Sequence, residues 1–263
     1  MRSLVTLLLI ALPAAAQYDD LLTSTKNQWN VPAIAVAVVQ DDKVVYLKAI
    51  GVKELGKPDP VTPDTLFEIA STTKAFTTTA MAMLVDDKKL SWDDPVRKHL
   101  EYFHLADPYA DATVTLRDLV SHRTGLSRHD EIWDYDPPAS REQVIRSVAT
   151  VKLSKPLRTT YQYNNIMFST AGEAVAAAAK MPCEDFVRTR IFLPLGMTHT
   201  RVSAADFRSA DHAVGHSYDS KTATLTPHEF VDYNNIAPAG AMSYSTVDVG
   251  RAIAAALSNA VSA

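Results

Sequence analysis

Apolar and polar positions change period several times along this chain, and each change marks an element. The opening, MRSLVTLLLIALPAAAQ, holds an apolar run from Leu4 to Leu12 behind Arg2 and ends in Ala14, Ala15 and Ala16. A positive start, a short apolar centre and a small-residue cleavage site before Gln17 are the layout of an export signal. The run is too short for a lasting membrane span. The expectation is therefore a signal peptide over residues 1–16, followed by an exported chain, periplasmic or secreted, with no membrane span after cleavage.

Residues 18–29 read as a helix. Two β-rich runs, Ile34–Val39 and Val44–Ile50, flank a polar turn at Gln40–Lys43 and predict a β-hairpin. Pro58, Pro60 and Pro63 punctuate a loop, and from Ser71 the spacing becomes helical, with Phe76, Ala80, Met83 and Leu84 on one side. Further helices are predicted at 115–121, 141–150, 168–180, 184–192 and 246–258, whereas 203–235 is polar and irregular and reads mostly as surface loop. An isolated hairpin is marginal in water. This one is apolar on both faces, so it needs covering helices or partner strands that the remaining pattern does not supply.

With 263 residues, 47% hydrophobic content and a net charge of -4, the chain can bury a proper core, and one large domain over 17–263 is expected. Its scattered cationic residues form no basic face, which argues against nucleic acid as a partner. The single cysteine, Cys183, excludes an intrachain disulfide and reads as a small packed side chain. No His or Cys cluster has metal-ligand spacing, so no metal and no organic cofactor is expected.

The candidate chemistry starts at Ser71 and Lys74, in FEIASTTKAF. Serine at a helix start is a favoured cap, because its oxygen accepts one of the unpaired backbone N–H groups. A lysine three residues later lies on the same face and gives the serine a second use, as a nucleophile beside a base. An ordinary lysine, with a pKa of about 10.4, is charged at neutral pH, so it becomes a base only through burial or a neighbouring positive charge. A tyrosine phenolate stabilised by Lys74 would serve equally. The segment YQYNN at 161–165 offers Tyr163 as proton shuttle and Asn165 as hydrogen-bond donor, just before a helical stretch.

Together these segments resemble the serine hydrolases related to class C β-lactamases, a family that includes DD-carboxypeptidases, D-aminopeptidases and β-lactamase-like carboxylesterases. TPDTLFEIASTTKAF is similar to the family's nucleophile segment, and VTLRDLVSHRTGLSRH at 114–129 to its Leu-Leu-x-His-x-Ser-Gly-Leu segment. YQYNN is similar to its Tyr-x-Asn element, IFLPLGMTHT at 191–200 to its Pro-Leu-Gly-Met-x-x-Thr turn, and PAGAMSYSTVDVGRAIAAAL at 238–257 to its Ala-Gly-Gly segment. The resemblance implies an α+β, penicillin-binding-protein-like fold, in which an antiparallel sheet packs on a mainly helical region. It makes Ser71 the acylated nucleophile, Lys74 its partner, Tyr163 the general base and acid, and Asn165 a substrate-orienting amide. The substrate would be a small molecule or peptide carrying an ester, amide or β-lactam carbonyl. His122 and Gly125 read as loop organisers.

One departure stands out. The family's Lys-Thr-Gly or His-x-Gly triplet lies on a strand after the Ala-Gly-Gly segment, where it supplies an oxyanion donor and a partner for the hairpin. No such triplet follows Gly240, and Lys221 and Thr222 in SKTATL, which precede that segment, read as loop. The expectation is a chain truncated at its C-terminal side. The rival readings are a non-catalytic module of the same fold that binds cell-wall peptide or penicillin, and a structural helix for which Ser71 is only a cap.

Overall fold

The computed structural model describes residues 3–134, 139–228 and 231–261. Helix α1 (Ser3–Gln28) contains the expected helix and runs back through the apolar opening. Strands β1 (Ala33–Gln40) and β2 (Lys43–Gly51) form the predicted hairpin, in antiparallel register from Ala33 opposite Gly51 to Gln40 opposite Lys43. Asp41 and Asp42 make its two-residue turn with φ of 48° and 60°. Two successive left-handed residues suit the twist of a hairpin, and aspartate tolerates that region better than most residues.

The short strand β3 (Phe67–Glu68) then leads into the long helix α2 (Thr73–Asp86). Short helices follow: α3 (Pro108–Thr113), α4 (Leu116–Val120), α5 (Glu131–Asp134) and α6 (Arg141–Ser147), ahead of α7 (Asn165–Ala179). Helix α8 (Cys183–Val187) continues into a π-turn at Arg188–Phe192 and accounts for the expected helix at 184–192. Beyond it come α9 (Ala204–Ser209), the strands β4 (His216–Asp219) and β5 (Thr224–Pro227), α10 (Ala237–Gly240), β6 (Ser243–Tyr244) and α11 (Thr246–Val261).

The α+β expectation holds, with the core on the helical side. Helices α2 and α7 pack on each other, and α10 packs on both. The buried core runs through Met81, Leu84, Phe103, Leu116, Leu119, Leu126, Ile145, Ile166, Met167 and Phe192. No side chain of the hairpin belongs to it. The hairpin is covered by α11 and α1, and Asp19 of α1 accepts a hydrogen bond from Tyr46 Oη (2.6 Å) and pairs with Lys48 (2.8 Å). Among the described residues β1 is hydrogen-bonded to β2 alone, and Val44, Val45 and Leu47 of β2 stay exposed.

Two readings of the sequence need correction. The interval 203–235, read as mostly loop, is not loop throughout: it also holds α9 and the β4–β5 hairpin, paired from His216 opposite Pro227 to Asp219 opposite Thr224. That hairpin is largely exposed and rich in Thr and Ser, so it lacks the apolar alternation by which a half-buried strand is read. Lys221 and Thr222 do lie in its turn, but the next residues form β5. The second correction concerns Ser71. It lies within a 3-10 turn, Ala70–Thr72, that runs straight into α2, and its side chain makes no capping hydrogen bond.

Small residues and buried carboxylates fix the segments around α2. At Gly172 of α7 an added Cβ would sit 2.3 Å from the Pro238 ring, so only glycine lets α10 approach this closely. Asp248, buried in α11, accepts from the Thr200 N–H and hydroxyl and from the His199 N–H, each at 2.8 Å, which pins the PLGMTHT turn. Asp118 is fully buried. Burial alone would raise its pKa, but hydrogen bonds from Arg158, Thr115 and Arg123 outweigh that and hold its carboxyl below the usual range.

Gly125 turns the chain after α4 with φ of +85°, and a Cβ there would meet the Lys155 carbonyl oxygen at 2.2 Å. Gly125→Ala is therefore expected to cost on the order of 2–3 kcal/mol, combining left-handed strain with a backbone clash. A urea unfolding midpoint close to the wild type would contradict this.

Candidate active site

Strand β3 ends at Glu68, and the chain must turn sharply to start α2. Ala70 takes that turn with φ of +42°, a strained region for any residue with a Cβ. The turn leaves Ser71 exposed at the head of α2, while Lys74, one turn on, is buried. On the other side, α7 begins at Asn165. Its cap is Asn164, whose Oδ1 accepts from the Met167 N–H (3.0 Å) and whose Nδ2 donates to the Ser127 carbonyl (2.6 Å). One buried amide thus starts α7 and ties it to the loop after Gly125.

The structure brings all four sequence-nominated residues into one cluster. Ser71 Oγ and Tyr163 Oη share a short hydrogen bond. Lys74 Nζ donates to Ser71 Oγ (2.9 Å), Asn165 Oδ1 (2.8 Å) and the Ala239 carbonyl (2.8 Å), and lies 4.7 Å from the Tyr163 ring centroid. Two of these acceptors, the amide and peptide carbonyls, have no proton to give. An ammonium can satisfy all three with its three N–H bonds. A neutral amine satisfies the two carbonyls with its two N–H bonds and is left with its lone pair for Ser71 Oγ.

Electrostatics shift the balance toward that neutral state. Burial, then the nearby Arg128 cation, push the Lys74 pKa down to about 8, while Asp130 partly opposes them. A lysine with a pKa near 8 is partly deprotonated near neutrality, as a general base requires.

His122 supports the cluster from behind. It is buried, its ring lies 4.6 Å from that of Tyr163 and 5.0 Å from Phe168, and its Nδ1 accepts the Asn164 N–H at 3.1 Å. Burial, with help from Lys74, brings its pKa down to about 4, so the ring is neutral over the ordinary pH range and can keep accepting that bond. This is a loop-organising role, as the sequence led us to expect. Cys183, buried beneath α7, has its thiol pushed up to about 12 by burial.

Sequence reasoning missed five participants. Ala239 contributes only its carbonyl, which no side-chain motif reveals, and Thr77 Oγ1 helps to place that segment by donating to the Pro238 carbonyl at 2.7 Å. Arg128, Asp130 and Trp133 surround the far side of Asn165. Asp130 Oδ1 accepts from Asn165 Nδ2 (3.1 Å) and Trp133 Nε1 (3.0 Å), Arg128 Nε donates to the other carboxylate oxygen, and the Arg128 guanidinium lies 5.1 Å from the Tyr163 ring. Among the described residues no group of three or more His, Cys, Asp and Glu is placed to hold a metal ion.

A family model described as Beta-lactamase matches residues 18–263. "Unguisins hydrolase ungD'" of Aspergillus campestris is 35% identical over 258 residues, covering 94% of this chain and 48% of its own length. The chain thus spans about half the length of this relative. Among solved structures, a D-alanine carboxypeptidase AmpC from Burkholderia cenocepacia superposes with a TM-score of 0.73 at 27% identity, over 92% of this chain and 64% of that one. EstCE1, described as a hydrolase with promiscuous acyltransferase activity, shares the fold with a TM-score of 0.79 at 18% identity, over 93% and 72%.

Proposed function

The chain belongs to the beta-lactamase family, and from that premise we propose that it is a serine hydrolase working through an acyl-enzyme on Ser71. The observation that carries this reading is the convergence of Lys74 Nζ and Tyr163 Oη on one exposed serine oxygen. Ser71 Oγ attacks the acyl carbon of an ester, amide or lactam, and its proton passes to the Lys74/Tyr163 pair. The tetrahedral oxyanion develops at the N-terminal end of α2, where the helix dipole and first-turn N–H groups favour negative charge. Collapse of the intermediate breaks the bond to the leaving group, which takes the proton back from the pair. Water, deprotonated by the same pair, then attacks the acyl-serine ester, releasing the acid and restoring the hydroxyl.

Lys74 Nζ and Tyr163 Oη both reach Ser71 Oγ, so the base is the pair rather than either member. The substrate is a small molecule or peptide, and the names of the relatives point to hydrolysed amide or ester bonds. We also propose that residues 1–16 direct export. Among the described residues no helix is long and apolar enough to cross a membrane.

A burst experiment tests the proposal. With p-nitrophenyl acetate, a D-alanyl-D-alanine peptide and a chromogenic cephalosporin, at least one substrate is expected to give a burst of about one product per chain, followed by slower turnover. The sign of the pH dependence follows from the lowered Lys74 pKa: the amine is neutral above about 8 and protonated below it. The burst rate is therefore expected to fall tenfold per pH unit well below that midpoint and to level off above it. No burst with any of the three would count against the acyl-enzyme, and a rate that increases as the pH drops would exclude this base.

A further inference from the structure

The two ends of the Asn165 amide are not interchangeable in this site. Its Oδ1 accepts from Lys74 Nζ at 2.8 Å, and its Nδ2 donates to Asp130 Oδ1 at 3.1 Å. An ionised carboxylate only accepts hydrogen bonds, and a lysine ammonium only donates them. If the amide were turned end for end, its NH2 would face the lysine and its carbonyl the carboxylate, so that two hydrogen bonds became two repulsions. Asn165 is buried, with no water-exposed alternative for either end. Lys74 alone does not enforce this orientation in the reactive state, because a neutral amine could accept a hydrogen bond from a turned amide. The lone pair needed by Ser71 would then be occupied.

We propose that Asp130 is a positioning residue, whose carboxylate fixes the Asn165 amide with its carbonyl toward Lys74 and so keeps the amine's lone pair on Ser71. Asp130 touches neither Ser71 nor Lys74. It is itself held from two sides, by Trp133 Nε1 on Oδ1 at 3.0 Å and by Arg128 Nε on Oδ2, and the Trp133 ring packs edge-on against Tyr233 with centroids 5.7 Å apart. Trp133, Asp130, Asn165, Lys74 and Ser71 thus form one hydrogen-bonded line. The charged and titratable groups around the amine are Arg128, Asp130, Tyr163 and His122. Of these, Arg128 depresses the Lys74 pKa and Asp130 raises it. The inference rests on the serine-hydrolase reading, but its first consequence is a property of Lys74 that needs no turnover to observe.

The test measures two quantities in the wild type, Asp130→Ala, Asp130→Asn and Asp130→Glu. One is the Lys74 titration midpoint, followed by NMR of 13C-labelled lysine ε-carbons and assigned with a Lys74→Met control. The other is the rate of labelling by an alkyl fluorophosphonate at a pH of about 9.5, where the amine is neutral in every variant. Asp130→Ala is expected to lower the Lys74 midpoint, through loss of the carboxylate and release of the amide, and yet to slow plateau labelling about 10- to 100-fold, the usual cost of losing an outer support. Asp130→Asn, which keeps the shape and an acceptor oxygen, should lower the midpoint with a smaller loss of rate. Asp130→Glu should restore part of both. An Asp130→Ala variant with the wild-type midpoint and plateau overturns the proposal. A wild type that never reacts removes the hydrolase reading instead. The positioning role then stands only if the midpoint falls further in Asp130→Ala than in Asp130→Asn, because both lose the charge and only Asn keeps an acceptor for the amide. Equal falls overturn it.

Discussion

Ser71→Ala is expected to abolish acyl-enzyme formation, cutting the burst rate by at least about 10⁴-fold, while leaving the folded state almost as stable as the wild type. Loss of a nucleophile removes the covalent pathway entirely, and serine hydrolases lose rates on this scale or beyond when it is deleted. The stability half of the prediction separates catalysis from capping. A genuine serine cap replaced by alanine costs about 1 kcal/mol. Ser71 makes no capping bond, and its oxygen is engaged with Tyr163 and Lys74 instead. Its removal should move the thermal midpoint by no more than a degree or two. A drop matching a lost cap, with unchanged reactivity, would contradict both halves.

Lys74→Met is expected to reduce acylation about 10²- to 10⁴-fold, the range for a lost general base, again without unfolding the protein. The energetics oppose each other. Methionine leaves Asn165 Oδ1 and the Ala239 carbonyl without their donor, at about 1–3 kcal/mol for each buried unsatisfied group. Against this, it removes a buried amine whose charged form the site disfavours, and it refills the space with an adaptable apolar side chain. The balance should be small beside the catalytic loss. Lys74→Arg is the sharper companion. Arginine keeps the positive charge but does not deprotonate, so it should be as inactive as methionine if the amine takes the proton. Retention of more than about a tenth of the wild-type rate in Lys74→Arg would mean that the residue acts through its charge.

These two residues, with Tyr163 and Asn165, could be nominated because their segments, each common on its own, occur in the order that resembles one family. What brings the segments together was not visible. The approach of α7 to α10 depends on the missing Cβ of Gly172 against Pro238. The tie between α7 and the loop after Gly125 depends on one amide, Asn164, that looks like any loop asparagine. Asp130 lies in an unbroken run of charged and polar residues, Arg128, His129, Asp130 and Glu131, which reads as solvated surface. It acquires its role only because tertiary packing aims it at the side of Asn165 opposite Lys74.

The fold was legible to a similar degree, and its gaps have a similar cause. The first hairpin and the long helices carry strong apolar patterns, so their positions followed from the chain. The β4–β5 hairpin does not, since most of its side chains face solvent and its stability comes from the β4–β5 pairing and the Asp219 carboxylate that accepts the Lys221 N–H at 2.8 Å. The role of Ser71 as a cap was a fair expectation from residue type. The backbone overrides it, because the helix has already begun as a 3-10 turn at Ala70, and the strained φ there turns the serine outward to the solvent-facing side of the cluster.

The central claim is that Ser71 is the atom that becomes acylated. Its most direct test is to react the protein with an alkyl fluorophosphonate, digest it and locate the adduct by mass spectrometry. One adduct per chain on the peptide containing Ser71, absent from Ser71→Ala and slowed in Lys74→Met, is the predicted result. A wild type that stays unmodified, or an adduct on another residue that persists in Ser71→Ala, would contradict it.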